Sequence, residues 1–358
     1  MNNRFEKAGD LLKKFDADYI LINENCAVRY FSGFESSNIF LLYSPKRKFL
    51  LTDFRYKTKA INFCEKENWE FVEIKNGEFC KEINKIIKNS SKLIFQDNYL
   101  TVEKFESYKK NIKNISKFIP AGKEIDSLFS VKTQEEINSI KQAAKIGDIS
   151  ITQWYLQIKE GISEFEAARL LDIITLQNGS EKPAFGTIML FGENSALPHG
   201  VPSKTRKLKK GDLILIDFGC VVNGFCSDMT RTICFGEPQT EYLRIYEIIF
   251  EAQKIGIETA KTGIKAKDID KKVRDFIKNA GFGENFGHGT GHSVGLKIHE
   301  NPALNARDET ILEPGMILTI EPGIYVPNFI GVRIEDMVLI CERTSEIITK
   351  TAKKITEI

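Results

Sequence analysis

Phe286-Gly287-His288-Gly289-Thr290-Gly291-His292-Ser293-Val294-Gly295-Leu296-Lys297-Ile298-His299-Glu300 carries three of the four histidines in a chain of 358 residues. The fourth, His199, stands in the turn Pro198-His199-Gly200. A glycine-rich surface loop with incidental imidazoles accounts for one such residue better than for three. The glycines also invite a phosphate-cradling reading, but His292 and Val294 occupy the third-glycine positions of Gly-x-Gly-x-x-Gly. Imidazole is a common metal ligand and acid–base group near neutral pH, and glycines let backbone and side chains crowd around a small site. A metal also needs anionic partners, which directs attention to carboxylates at the ends of buried strands.

Leu213-Ile214-Leu215-Ile216 runs into Asp217, Met316-Ile317-Leu318-Thr319-Ile320 into Glu321, and Val332-Arg333-Ile334 into Glu335-Asp336, with Met337-Val338-Leu339-Ile340 beyond. Asp228 lies across the turn Val222-Asn223-Gly224 from Asp217, so a hairpin brings these carboxylates together. Continuous apolar β runs are the pattern of strands buried on both faces. An unpaired carboxylate there is strongly unfavourable or takes up a proton. Arg231 and Arg333 can each serve one acid, which leaves negative charge for divalent cations to balance. Asp217, Asp228, His292, Glu321 and Glu335 are too rich in carboxylate for a structural zinc site and too poor in imidazole for copper. Such mixed donors suit a pair of metals such as Mn, Co, Fe or Zn, roughly 3.5–4 Å apart. Such metals lower the pKa of bound water from about 15.7 toward about 7, so the expected chemistry is hydrolysis.

Composition narrows the alternatives. The length fits two domains and 42% apolar residues supply ample core. With 51 basic and 49 acidic residues and no basic stripe interleaved with aromatics, nucleic acid is not the expected ligand. The seven scattered cysteines contain no Cys-x-x-Cys, which argues against a disulfide framework or zinc ribbon and for a reducing compartment. The start Met1–Lys7 has no apolar signal region and no stretch approaches the roughly 20 apolar residues of a membrane span. A cytoplasmic protein without membrane association is expected.

Residues 1 to about 122 alternate apolar runs with amphipathic segments. Strands are expected at Tyr19–Ile22, Ile39–Tyr43, Phe49–Leu51, Phe71–Ile74 and Leu93–Phe95, and helices near 3–14, 55–67, 78–88 and 101–110. This α/β segment holds no histidine, and a scaffold or a fence for substrate is its expected role. Pro120-Ala121-Gly122 breaks the pattern. Thr133-Gln134-Glu135-Glu136 then forms a capping box for a helix over 134–159. Further helices are expected at about 163–177, 239–261 and 267–280.

Several motifs together resemble the "pita-bread" metallopeptidases, which include methionine aminopeptidase, aminopeptidase P and prolidase. They are Asp217-Phe218-Gly219-Cys220 with Ser227-Asp228-Met229-Thr230-Arg231-Thr232, His288-Gly289-Thr290-Gly291-His292, His299-Glu300, Glu321-Pro322-Gly323-Ile324-Tyr325, and Gly331-Val332-Arg333-Ile334-Glu335-Asp336. This resemblance spans residues 125–358. Arg29–Phe34 and Leu51–Tyr56 resemble the small N-terminal domain of the Xaa-Pro peptidases. The resemblance implies an α/β N-terminal domain over 1–122. It further implies an α+β catalytic domain over 123–358, with a curved, mainly antiparallel sheet covered by helices. It implies that Asp217 chelates one metal, that Asp228 and Glu335 bridge both, and that His292 and Glu321 hold the other. Glu321 would take the proton of the attacking water. His199, His288 and His299 match positions around the substrate or tetrahedral intermediate, and Tyr325 and Arg333 match a hydrogen-bonded relay. Two divalent ions, manganese first, with Co, Zn or Fe as alternatives, and a homodimer are implied as well. In such dimers the N-terminal domain approaches the neighbour's site.

Methionine aminopeptidases usually lack an imidazole at the position of His288 and lack the N-terminal domain, so this chain resembles the Xaa-Pro branch. The substrate bond there is a tertiary amide without N–H, and proline's fixed φ gives it a recognisable shape. Some prolidases carry an Arg shortly after the His-Glu pair, where it can clamp a dipeptide's free carboxylate. Here Ala303 stands at that position, with Arg307 beyond. Aminopeptidase P activity is therefore the first expectation and Xaa-Pro dipeptidase the alternative. Creatinase-like hydrolysis without metal and a non-catalytic binding module are more distant.

Overall fold

The structure, a computed structural model, describes residues 2–88 and 90–353, so the outermost ends of the two expected domains lie outside the described residues. Two units separate by their contacts, Met1–Phe129 and Ser130–Ile358. In the first unit the apolar runs become strands β1 (Tyr19–Ile22), β2 (Ile39–Tyr43), β3 (Lys48–Thr52), β4 (Glu70–Glu73), β5 (Ser91–Phe95) and β6 (Ile115–Pro120). They form a six-stranded mixed sheet in the order β4-β3-β2-β1-β5-β6. β2 pairs antiparallel with β1 and β3, and the other pairs are parallel. The helices are α1 (Asn2–Lys14), α2 (Asn25–Ser32), α3 (Lys57–Glu67), α4 (Phe79–Ile86), α5 (Val102–Asn111) and α6 (Gly122–Ser127). Leu21, Leu42, Leu51 and Leu93 from the sheet pack with Ile83 and Tyr108 from α4 and α5.

α2, β6 and α6 have no distinct signal in the sequence. α2 spans only eight residues, too few for apolar periodicity to show; its ends are set by Glu24, which accepts the N–H groups of Cys26 and Ala27, and by Gly33 at φ 74°. By contacts the units divide after Phe129. Pro120 closes β6, and Gly122 begins α6, with its N–H held by the Asp97 carboxylate at 2.8 Å. α6 buries Ile125, and Leu128 accepts the Tyr30 hydroxyl at 2.9 Å, so the Pro-Ala-Gly break lies inside this unit.

In the second unit, α7 (Gln134–Tyr155) and α8 (Glu164–Gln177) each start at a complete capping box, Thr133 with Glu136 and Ser163 with Glu166. Next come β7 (Ile188–Phe191), β8 (Leu213–Phe218), β9 (Val221–Val222), β10 (Phe225–Cys226) and β11 (Met229–Cys234). α9 (Thr240–Thr259) and α10 (Ala266–Asn279) follow. The last strands are β12 (Gly291–Ser293), β13 (Glu300–Leu304), β14 (Ile317–Ile320), β15 (Gly323–Val326), β16 (Ile330–Arg333), β17 (Asp336–Ile340) and β18 (Ser345–Ile347). Sheets β11-β8-β7, β13-β12-β14-β17-β18, β15-β16 and β10-β9 are antiparallel throughout. Asn223 and Gly224, at φ 48° and 69°, make the tight turn between β9 and β10, which needs positive φ at both positions. Among the described residues no helix is long and apolar enough to cross a membrane.

Strand alternation decides where the acids point. Ile214, Ile216 and Phe218 of β8 pack with Ala167, Leu171 and Ile174 of α8, so Asp217 faces the other way. In β16 Ile330 and Val332 enter the core beneath α9, which turns Arg333 to the opposite side. Lys132 joins the start of this unit to the histidine region: its ammonium meets Glu300 at 2.8 Å, Ser293 Oγ at 3.1 Å and the Ser130 carbonyl at 3.0 Å. Both charged side chains are sequestered, at 2% and 1% exposure. Lys132→Met therefore strands a buried carboxylate and is expected to cost about 3–5 kcal/mol in urea unfolding. Pairing it with Glu300→Leu should recover much of that loss.

Candidate active site

Asp217, Asp228, His292, Glu321, Glu335, His288, His299, His199 and Arg333 all line one cleft of about 760 Å³ in the second unit. Asp217 pairs across β8 and β11 with Thr230, two residues beyond Asp228, so the hairpin joins these two acids. Asp228, His292 and Glu335 can each offer a ligand atom, and these atoms all lie within 4.8 Å of one another. Glu321 joins them through His292, whose Nε2 lies 3.3 Å from Glu321 Oε1 and 3.6 Å from Asp228 Oδ2. Asp217 lines the same cleft, its Oδ2 receiving Arg333 at 2.6 Å.

The orientation of each donor has an identifiable cause. His292 Nδ1 faces the Ser293 carbonyl at 3.1 Å, and a carbonyl only accepts, so the proton sits on Nδ1 and the Nε2 lone pair is directed at the carboxylates. The Thr319 hydroxyl accepts the His292 N–H at 3.0 Å and donates to Glu321 Oε1 at 3.1 Å. The Thr230 hydroxyl donates to Glu335 Oε2 at 2.7 Å and accepts Arg333 Nε at 3.0 Å. Neither threonine stood out in the sequence, because threonine is an ordinary strand residue. Gly291 permits the approach of β12 to β14, since a Cβ there would stand 2.0 Å from the Thr319 carbonyl oxygen.

Behind the acids runs a directed hydrogen-bond chain. Arg333 donates to the Tyr325 hydroxyl at 2.7 Å, and that hydroxyl lies 2.9 Å from His288 Nε2. His288 Nδ1 faces the Gly289 carbonyl at 2.8 Å, so its proton is on Nδ1 and Nε2 accepts from the tyrosine. Tyr325 is buried behind the cleft wall, and burial pushes its phenol up to about 12. His299 stacks edge-on to His292 with ring centroids 4.4 Å apart, and His199 lies exposed at the mouth.

Among the described residues the Arg231 guanidinium reaches none of the four clustered carboxylates, although its Nη1 donates to the Glu335 main-chain carbonyl. It pairs with Asp336 at 2.7 Å, alongside Gln253 and Lys353. Successive strand residues point to opposite faces, so Thr230 and Arg231 diverge just as Glu335 and Asp336 do.

Burial and then the charges of Glu335, Asp217 and Glu321 push the Asp228 carboxyl well above the ordinary range. Burial, with Glu321 and Asp217, does the same to Glu335, and burial raises Glu321. Burial also holds the His292 and His288 imidazoles below their usual range, which keeps them neutral. Among the described residues, Asp217 Oδ1 and Glu335 Oε1 are buried with no hydrogen-bond partner. Buried carboxylate oxygens need a donor or a cation. Anionic oxygens and a neutral imidazole lone pair converging on one point fit divalent cations.

These features define a class, the metallohydrolases. Residues 138–342 match the metallopeptidase family M24 and residues 4–128 the creatinase/prolidase N-terminal domain; the chain belongs to metallopeptidase family M24. The Xaa-Pro dipeptidase of Pyrococcus furiosus is 39% identical over 359 residues, covering 99% of this chain and 100% of that protein. The solved Xaa-Pro dipeptidase from Bacillus anthracis has a TM-score of 0.93 at 36% identity, covering 99% of each chain. The X-Pro aminopeptidase from Thermotoga maritima has a TM-score of 0.86 at 34% identity, covering 96% of this chain and 98% of that one. The expected architecture, an N-terminal α/β domain and a pita-bread domain, is the one observed.

Two measurements check the site. Thr230→Val removes the hydroxyl shared by Glu335 and Arg333 while nearly keeping side-chain shape. Metal affinity, read by titration of chelator-stripped protein, is expected to fall about 10–100-fold. The second concerns protons. Raised pKa values mean that the metal-free site holds protons where ordinary carboxyls are bare, so a divalent cation must displace them. Binding should weaken as pH falls through the raised pKa values, and calorimetric titration in buffers of different ionisation heat should detect proton release. The same shifts favour the metal-free fold at low pH, and that contribution is lost as pH rises through the folded-state values. Metal binding without proton release would contradict the assignment.

Proposed function

We propose that this chain is a metal-dependent Xaa-Pro dipeptidase. Asp217, Asp228, His292, Glu321 and Glu335 would hold two divalent ions, manganese first. The observation that carries the reading is the convergence of these donors, with orphaned buried oxygens, at the base of a cleft walled by imidazoles. When bound, the metals would balance the acids and make water nucleophilic near neutral pH. Glu321, its carboxyl raised by burial, takes the proton of the attacking water, because a base with an elevated pKa is better matched to neutral pH. His199, His288 and His299 surround the peptide, with His288 oriented by Tyr325. An intact donor set argues against a non-catalytic binding module.

On Ala303 alone, aminopeptidase P is the first expectation. Whole-length similarity to Xaa-Pro dipeptidases favours the alternative, and we adopt it. Ala303 does line the cleft, so a free substrate carboxylate needs another partner. Arg169 on α8 and the imidazoles of His199 and His299 line the same cleft.

The test is kcat/KM for an Xaa-Pro dipeptide, the matching Xaa-Pro-Zaa tripeptide and an Xaa-Ala dipeptide, with Mn, Co and Zn supplied separately. We expect the Xaa-Pro dipeptide to lead the tripeptide by about tenfold or more, roughly 1.4 kcal/mol of transition-state discrimination. A tripeptide preference would restore aminopeptidase P. Equal rates on Xaa-Ala would remove the proline requirement.

A further inference from the structure

His288 sits between Gly287 and Gly289, where the backbone has unusual freedom. The orientation of its imidazole must therefore be imposed from elsewhere. α10 is anchored by Ile269, Val273 and Ile277, spaced four apart and fully buried. On the adjoining stripe Asp270 and Arg274 form an ion pair, with Arg274 Nη2 at 2.8 Å and Nε at 3.0 Å from the two carboxylate oxygens. The guanidinium also reaches off its helix. Nη1 donates to the Phe286 carbonyl at 2.9 Å and Nη2 to the His288 carbonyl at 2.7 Å, while the group lies 4.4 Å over the Phe286 ring. Asp270, only 1% exposed, accepts the Thr290 N–H and hydroxyl at 3.1 and 2.9 Å. The Thr290 carbonyl in turn accepts the N–H of Glu321 at 2.8 Å. A pair that only stabilised α10 would need none of these loop contacts.

We propose that Arg274 is a positioning residue for hydrolysis, gripping the loop on both sides of Gly287 so that His288 meets Tyr325 and faces the cleft. Asp270 aligns the guanidinium and ties Thr290, and through it Glu321, to the same helix. The proposal rests on the reading of His288 as a residue facing substrate.

Arg274→Met keeps a long unbranched side chain at this position and removes the donors and the charge over Phe286. It is expected to retain metal and cooperative folding while kcat/KM falls about 100-fold, mostly in kcat, the scale of a small misplacement of reacting groups. The decisive measurement is the double-mutant cycle. In a His288→Ala background, Arg274→Met should cost less than about threefold, because residues that act through one another are not additive. Losses that multiply would overturn the proposal. So would an Arg274→Met enzyme with normal turnover, or a deficient one beside a fully active His288→Ala enzyme. Hydrogen exchange at the amides of 287–290 gives a readout that needs no substrate: it should accelerate in Arg274→Met while α10 stays protected. Unchanged exchange there sinks the positioning role; faster exchange in a protein that cleaves no Xaa-Pro peptide supports it and sinks only the functional reading. Should Arg274→Met fail to fold, Arg274→Lys serves in the same cycle, since it keeps a charge beside Asp270 but lacks the fork that spans two carbonyls.

Discussion

Like charges forced together away from water are the constraint on which the second unit depends. Asp228, Glu321 and Glu335 have their pKa values raised, in each case chiefly by burial. A protein holds such a cluster only if the surrounding framework cannot relax away from it. The framework here is antiparallel strands whose core-facing side chains are almost wholly buried, among them Ile214, Ile216, Leu318 and Val332. Arg333 supplies one positive charge, bound to Asp217 and linked through Thr230 to Glu335. A divalent cation would supply what remains, and its binding would convert the cost of burial into affinity.

Small groups carry much of the geometry. The hydroxyls of Thr230 and Thr319 each join two members of the site, so that an acid and its neighbour are oriented together. Two main-chain carbonyls, from Ser293 and Gly289, select the tautomers of His292 and His288. The two imidazoles thus serve different ends. One directs a lone pair at the carboxylates, and the other receives the Tyr325 hydroxyl. Such distinctions depend on neighbours within about 3 Å and not on residue type alone.

In the proposed Xaa-Pro peptidase, the choice between a dipeptide and a longer peptide would depend on what meets the substrate beyond proline. An arginine at the position of Ala303, shortly after the His-Glu pair, would offer a bidentate partner to a free carboxylate, and Ala303 offers none. Arg333, although it lines the cleft, is committed to Asp217, Tyr325 and Thr230. In the proposed dipeptidase, length selectivity would then pass to other groups of the cleft, and solvent weakens the charge–charge contacts of any that are exposed.

The sequence by itself determined the fold class and the five candidate donors, because each clustered acid follows or ends a continuous apolar strand run or lies across a tight hairpin from one. Those are local signals, as are the capping boxes at Thr133 and Ser163 and the Asn223-Gly224 turn. Tertiary structure alone decided which face each strand shows and which arginine serves which acid. Arg231 and Arg333 were equivalent as sequence and proved distinct, since alternation sends one to Asp336 and the other to Asp217. Thr230, Thr319 and Arg274 were not legible at all. In sequence they are an unremarkable pair of strand threonines and a helix charge, and their roles come from contacts between segments that only folding brings together.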